Sequence, residues 1–247
     1  MGRPGYIRGA VSRLDSSFND FAMQHQLPPV ARYDGPMIEM PDHICKETQV
    51  FGNYSQDLSA LRASPGDFIA LQYQENGHVT LPEITPQKNT SGRVYIYGTS
   101  IPSSEDTLLS IHKVWNEDGT GGNGRGRLLA VRPFDDGRCY QINGGIISTE
   151  RRTKYPKAAA APQGADLWCQ NDIRLPVDIS GYFTLYWVWD WPTLPSTEIP
   201  AGIPEVYTSC MDIEIAPTIQ QGQVKYVGGQ DLNFAGIEKQ LLGGAFM

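Results

Sequence analysis

The chain has 247 residues and a formal net charge of -7, with 19% charged and 40% hydrophobic residues. An acidic chain without a clustered basic surface is unsuited to a polyphosphate, so nucleic acid is excluded as a partner. The length permits a sizeable core, and 26 Gly and 18 Pro divide the apolar residues into short runs, a pattern of many strands joined by long loops.

In chain order, residues 1–65 read as loop with one helical stretch at Phe18 to Gln24. Strands are predicted at Phe68 to Tyr73, Val94 to Tyr97, Ile111 to Trp115, Leu128 to Val131, Gly181 to Asp190 and Val206 to Ile215. Turn residues fill the intervals, notably Asn116-Glu-Asp-Gly119 and Asp135-Asp-Gly137. These elements predict a single antiparallel β-sandwich over residues 1–216. A polar, Gly-rich tail follows over 217–247, with a short amphipathic patch near Ile237 to Leu242. No stretch is long and apolar enough to span a membrane.

Two segments concentrate the chemistry. His78 lies just past the tip of the strand ending at Tyr73, and Glu205 and Tyr207 sit at i and i+2, on one face, where the last strand opens. If the fold joins these strand ends, a His, a Tyr and a Glu converge as a candidate metal site. The other candidates read blandly. His112 is predicted mid-strand as a structural histidine, His43 in an exposed loop, and Arg151 to Lys154 as a solvated loop. Phe183, Leu185, Trp187, Trp189 and Trp191 share a strand face that reads as sandwich core, with Trp191 alone placed to reach the surface as a sugar-stacking platform. Asp135 and Asp136 are first of all a turn, and no Gly-x-Ser-x-Gly supports a serine hydrolase.

The four cysteines, Cys45, Cys139, Cys169 and Cys210, are widely spread and contain no C-x-x-C pair. With the N-glycosylation sequons at Asn53 and Asn89 they indicate an oxidising, exported environment. The segment after Met1 has no apolar core of a signal peptide, and the expectation is that the gene's true start lies upstream.

Three sets of motifs then carry a resemblance. Pro41-Asp-His-Ile-Cys45, Ala63-Ser-Pro-Gly-Asp67 and Tyr207-Thr-Ser-Cys210 resemble segments of the fungal lytic polysaccharide monooxygenases. Glu75-Asn-Gly-His-Val-Thr-Leu-Pro82, Ile111-His-Lys-Val-Trp115 and Tyr186-Trp-Val-Trp-Asp-Trp-Pro192 resemble more closely a fungal secreted domain family of unassigned function with a similar outline, over residues 2–216. The resemblance implies an all-β, immunoglobulin-like or fibronectin-like antiparallel β-sandwich with long loops. It selects Cys45 with Cys210 and leaves Cys139 with Cys169.

For function it implies copper as cofactor, with His78 and Tyr207 as metal ligands and Glu205 hydrogen-bonding the reacting oxygen species. Neutral nitrogen donors suit both oxidation states of copper, with at most a weak axial oxygen. The expected activity is oxidative cleavage of plant or fungal cell-wall polysaccharide by a secreted, monomeric glycoprotein. The chain departs from the family at its first residue, where Met1 stands in place of a His that would give an imidazole and an amine. It therefore looks to have lost its first strand, ahead of Pro4-Gly-Tyr-Ile-Arg-Gly9, and as written should bind copper weakly, whereas a form processed to an N-terminal His should bind it tightly. The alternative is a non-catalytic cell-wall or carbohydrate-binding protein on the same scaffold.

Overall fold

The computed structural model describes residues 4–32, 35–160 and 163–216. The expected tail from residue 217 lies outside them. The elements are α1 (Asp20–Met23), β1 (Gln26–Leu27), β2 (Leu61–Ala63), β3 (Phe68–Tyr73), β4 (Arg93–Thr99), α2 (Leu108–Ile111), β5 (Gly126–Pro133), α3 (Ile146–Lys154), β6 (Cys169–Arg174), β7 (Gly181–Asp190) and β8 (Val206–Ile215). They form an all-β, immunoglobulin-like antiparallel sandwich with long loops. The large sheet runs β1-β8-β7-β4-β5, with β2 added in parallel along β8, and the small sheet is β3-β6.

Strand β7 organises both faces of the large sheet. Phe183, Leu185, Trp187 and Trp189 point into the core shared with Ile69 and Ile173 of the small sheet. The alternate residues Tyr186 and Val188 are buried too, under Leu27, Ile44, Leu108, Ile111 and Trp115 from the long loops. A strand covered on both sides reads as a continuous apolar run, which is why its limits were legible.

The predicted strand Ile111 to Trp115 is not one. A capping box of Thr107 and Ser110 opens α2, and the backbone N–H groups of Val114 and Trp115 both return to the Ile111 carbonyl. Ile111 and Trp115 are buried as an i, i+4 pair on one side of this turn, and Lys113 between them takes a left-handed φ of 61°. A five-residue run with apolar ends satisfies either period, and the cap decided it. Arg151 to Lys154 also departs from expectation, forming the end of helix α3, with both oxygens of Asp135 accepting from Arg151 at 2.7 and 2.8 Å. Asp136 closes the Asp-Asp-Gly turn by accepting from the Arg138 and Cys139 N–H groups.

Strand β6, Cys-Gln-Asn-Asp-Ile-Arg, carries no apolar alternation, yet Gln170, Asn171 and Asp172 are buried. Gln170 accepts from Gln72 at 3.3 Å and donates to Asp172 at 2.9 Å, while Arg132 donates to the Asp172 carbonyl. Burial pushes the Asp172 carboxyl up to about 6, against the pull of Gln170 and Arg132. An acid raised from 3.8 to about 6 on folding holds its proton longer in the native state. Its contribution to stability therefore falls as pH rises from about 4 to about 6 and stays lost above that, on the order of 3 kcal/mol. Urea midpoints across that range should show this slope, and Asp172→Asn should remove it. An unchanged slope in the variant would assign the titration elsewhere.

Candidate functional site

The chain leaves β3 at Tyr73 and turns through Asn76 and Gly77, both at positive φ (47° and 83°), so that His78 returns over the sheet end. The Glu75 carboxylate shapes this loop. Only 2% exposed, it accepts from the N–H groups of Val79 (2.8 Å), Thr80 (3.3 Å) and Gln141 (2.7 Å) and from the Thr80 hydroxyl (2.5 Å). Those bonds fix the backbone on both sides of the histidine.

Across the sheet, antiparallel pairing of β7 with β8 sets Trp189 opposite Tyr207, and the Trp191 N–H donates to the Glu205 carbonyl at 2.9 Å. The His78 ring lies 5.3 Å from Trp189 and 4.7 Å from Trp191, centroid to centroid. Trp189 in turn stacks on Tyr207 at 5.0 Å and on Phe134 at 3.9 Å. His78 and Tyr207 are thus brought to one aromatic cluster, with Trp189 as their common neighbour. Glu205 joins through hydrogen bonds, accepting from the Tyr207 hydroxyl at 2.8 Å and from Lys88 Nζ at 2.6 Å.

Lys88 has no counterpart among the residues singled out in the sequence. Its side chain is 8% exposed, donates also to the Trp191 carbonyl at 2.5 Å, and sets its ammonium 4.3 Å from the Trp191 ring centroid. The loop around it is fastened by the indole N–H groups, Trp191 donating to Thr90 O at 2.7 Å and Trp189 to Ser91 O at 2.8 Å. A single lysine in Gln-Lys-Asn-Thr offers no periodic signal that would reveal its buried position.

Burial lowers the His78 pKa, with Glu75 and Glu205 pulling it back up and Lys88 pushing it down. The imidazole is therefore neutral at neutral pH, the form that ligates a metal. Its Nδ1 is buried without a hydrogen-bond partner among the described residues. Burial and the neighbouring Glu205 carboxylate raise the Tyr207 pKa far above its ordinary value, so the hydroxyl keeps its proton and donates it to Glu205.

Other residues are placed elsewhere. Trp191 is 3% exposed, packed among His78, Lys88 and Trp189, and cannot serve as the surface stacking platform expected of it. His112 caps α2, with Nδ1 3.1 Å from the Tyr97 hydroxyl and Nε2 3.5 Å from Asp190. His43 is exposed, and its carbonyl is 3.0 Å from Nε2 of His25. Both disulfides are present, Cys45 with Cys210 and Cys139 with Cys169. Cys210 faces the loop-covered core, away from Tyr207, so that bridge staples the back of β8 and not the site.

Does this donor set suit copper? His78 gives one neutral imidazole and Tyr207 one oxygen at the same cluster, whereas copper cycling between its two states wants several nitrogen donors. Among the described residues the one trio of His, Cys, Asp or Glu ligand atoms close enough to share an ion is Asp136, Cys139 and Cys169, whose sulfurs are spent in a disulfide. The described residues fit one corner of a copper site.

A family model described as a domain of unknown function, DUF7492, matches residues 1–238. No curated protein matches the chain. Similar solved structures include the cellulose-active LPMO CelS2 in complex with copper, at 14% identity and TM-score 0.34, covering 66% of this chain and 57% of that one. An AA10 lytic polysaccharide monooxygenase from Streptomyces lividans follows at 12% identity and TM-score 0.31, covering 70% and 66%. A Bacillus amyloliquefaciens CBM33 in complex with Cu(I) shows 12% identity and TM-score 0.29, covering 67% and 62%. The match spans less than two thirds of each of those chains.

Proposed function

We propose, on the premise that the chain belongs to the family described as a domain of unknown function (DUF7492), that it is a secreted protein of lytic polysaccharide monooxygenase type acting on plant or fungal cell-wall polysaccharide. The observation that carries this reading is the meeting of His78, Tyr207 and Glu205, from two strand ends, around Trp189 and Trp191. His78 would hold copper through its neutral imidazole, with the Tyr207 hydroxyl oxygen as a weaker donor. Further nitrogen donors would come from outside the described residues. Copper, when bound, would supply the one-electron chemistry that oxidises a C–H bond at the glycosidic linkage. The chain's own part is to hold Glu205 in one orientation between Lys88 and the Tyr207 hydroxyl, and to keep water from the inner side of the cluster with Trp189, Trp191 and Phe134.

A second reading, a non-catalytic carbohydrate-binding protein, is favoured by Lys88 alone. Its ammonium already balances Glu205, repels an incoming cation, and after its two hydrogen bonds has one N–H without a partner among the described residues to offer a sugar hydroxyl. Copper titration followed by electron paramagnetic resonance, on the chain as written and on a form extended upstream and processed to an N-terminal His, with His78→Ala made in the extended form, separates the two. The expected result is a nitrogen-ligated signal that His78→Ala abolishes, with affinity falling more than about 100-fold, the upper end of what even outer partners of a ligand cost. If His78→Ala leaves the signal and the affinity intact, the oxidase reading fails, and retention on insoluble cell-wall polysaccharide becomes the test of the second.

A further inference from the structure

The sequons Asn53-Tyr54-Ser55 and Asn89-Thr90-Ser91 are equivalent as sequence and very different as structure. We infer that Asn89 carries an N-linked glycan standing at the rim of the His78–Tyr207 cluster, and that Asn53 carries none. The inference uses the proposed export of the protein only in requiring passage through a glycosylating route.

Asn53 is exposed as a residue, yet its amide nitrogen is committed. Nδ2 donates to the Thr48 carbonyl at 2.8 Å, and the Asn53 carbonyl accepts from the Gly9 N–H at 2.8 Å. Gly9 stands so close, at a φ of 64°, that a Cβ there would lie 3.4 Å from the same Nδ2. The next residue, Tyr54, is anchored inward, its hydroxyl accepting from the Asp212 N–H at 2.6 Å. Glycan transfer joins Nδ2 to the anomeric carbon of an oligosaccharide carried on a lipid diphosphate, breaks the bond from that carbon to the diphosphate, and releases one amide proton to a base. At Asn53 the new substituent would have to occupy the space between the Gly9 and Thr48 segments.

Asn89 is in the opposite situation. It is exposed, and its side chain makes no hydrogen bond with a described residue. Its backbone neighbours are fixed: Lys88 turns inward to Glu205, and the carbonyls of Thr90 and Ser91 receive the two indoles. A sugar on Asn89 therefore needs no rearrangement, and it is rooted one residue from a side chain that pairs with Glu205, on a loop bonded to both tryptophans that flank His78. That position sets which surfaces can approach the cluster.

The test is expression of the full chain behind a secretion leader in a glycosylating host. Enzymatic release of N-glycans in ¹⁸O water should label Asn89 and leave Asn53 unlabelled. Asn89→Gln should remove the whole glycan mass, and Ser55→Ala should change it not at all. A label at Asn53, or none at Asn89, overturns the assignment. For the placement, carbethoxylation of His78 by diethyl pyrocarbonate should run several-fold faster after the glycan is trimmed, and equal rates would overturn the rim position. These readouts do not involve copper. Loss of the oxidase reading through His78→Ala would leave the glycan assignment standing, and the reverse also holds.

Discussion

Arg8→Ala is expected to destabilise the protein by about 3–5 kcal/mol, the cost of stripping one partner from a buried ion pair. Arg8 is 4% exposed and Asp212 on β8 is 1% exposed. The guanidinium meets the carboxylate with two parallel bonds, Nε to Oδ2 at 2.9 Å and an Nη to Oδ1 at 2.5 Å, and donates also to the Thr184 hydroxyl at 2.9 Å. The Thr184 hydroxyl in turn donates a hydrogen bond to Asp212 Oδ1 at 2.7 Å. Alanine would leave a buried carboxylate with hydrogen bonds but no counter-charge, and the effect should appear as a lower urea midpoint with little change in slope. Arg8→Lys should recover only part of the loss, because an ammonium cannot reproduce the two-pronged geometry. The double variant Arg8→Ala with Asp212→Asn should be more stable than Arg8→Ala alone. If it is not, the loss comes from packing of the arginine stem.

Strand β8 shows why this pair bears on the site. Its odd-numbered residues, Tyr207, Met211, Ile213 and Ile215, face the sandwich core, with Glu205 leading in on the same side. Its even-numbered residues, Val206, Cys210 and Asp212, are held by the loops behind. Arg8, reached through Pro4-Gly-Tyr-Ile-Arg-Gly9, fastens the back of the strand whose front carries the candidate ligand, and its own N–H donates to the Cys210 carbonyl at 3.0 Å.

How much of this was legible in the sequence depended on whether a residue's neighbours were near in the chain. The limits of β7 and β8 were readable because each is long, β-branched and aromatic, and closed by turn residues. Strand β6 was not, because its buried residues include Gln170, Asn171 and Asp172 in succession, satisfied by Gln72, Tyr73 and Arg132, 40 or more residues away, and no local pattern announces such partners. Trp191 closes the alternating face and read as able to reach the surface because it stands just before Pro192. In the fold, the 88–91 loop closes over it. For the same reason Lys88 was invisible. His78, Tyr207 and Glu205 were singled out by motif, whereas their common contact with the Trp189–Trp191 pair depends on the β7–β8 register, which motif alone does not supply.

Removing the Cys45–Cys210 bridge, as the paired Cys→Ala variant, is expected to cost roughly 4 to 5 kcal/mol, more than the roughly 3 to 4 expected for Cys139–Cys169. The first bridge spans 165 residues and the second 30, so in the chain-entropy model the first restricts the unfolded chain more. Urea unfolding of the two paired variants tests the order, and a greater loss from the shorter loop would show that native contacts, not loop closure, dominate. The site gives an independent readout. Cys210 is buried against Leu27, Ile44 and Val206, on the side of β8 opposite Tyr207 and Trp189. In a Trp115→Phe background, which removes the one tryptophan packed in the same core as Cys210, the tryptophan emission should therefore be unchanged in the folded Cys45→Ala/Cys210→Ala protein and be lost only with global unfolding. A spectral change well before that transition would mean that the bridge also sets the register of β8, and with it the position of Tyr207 and Glu205.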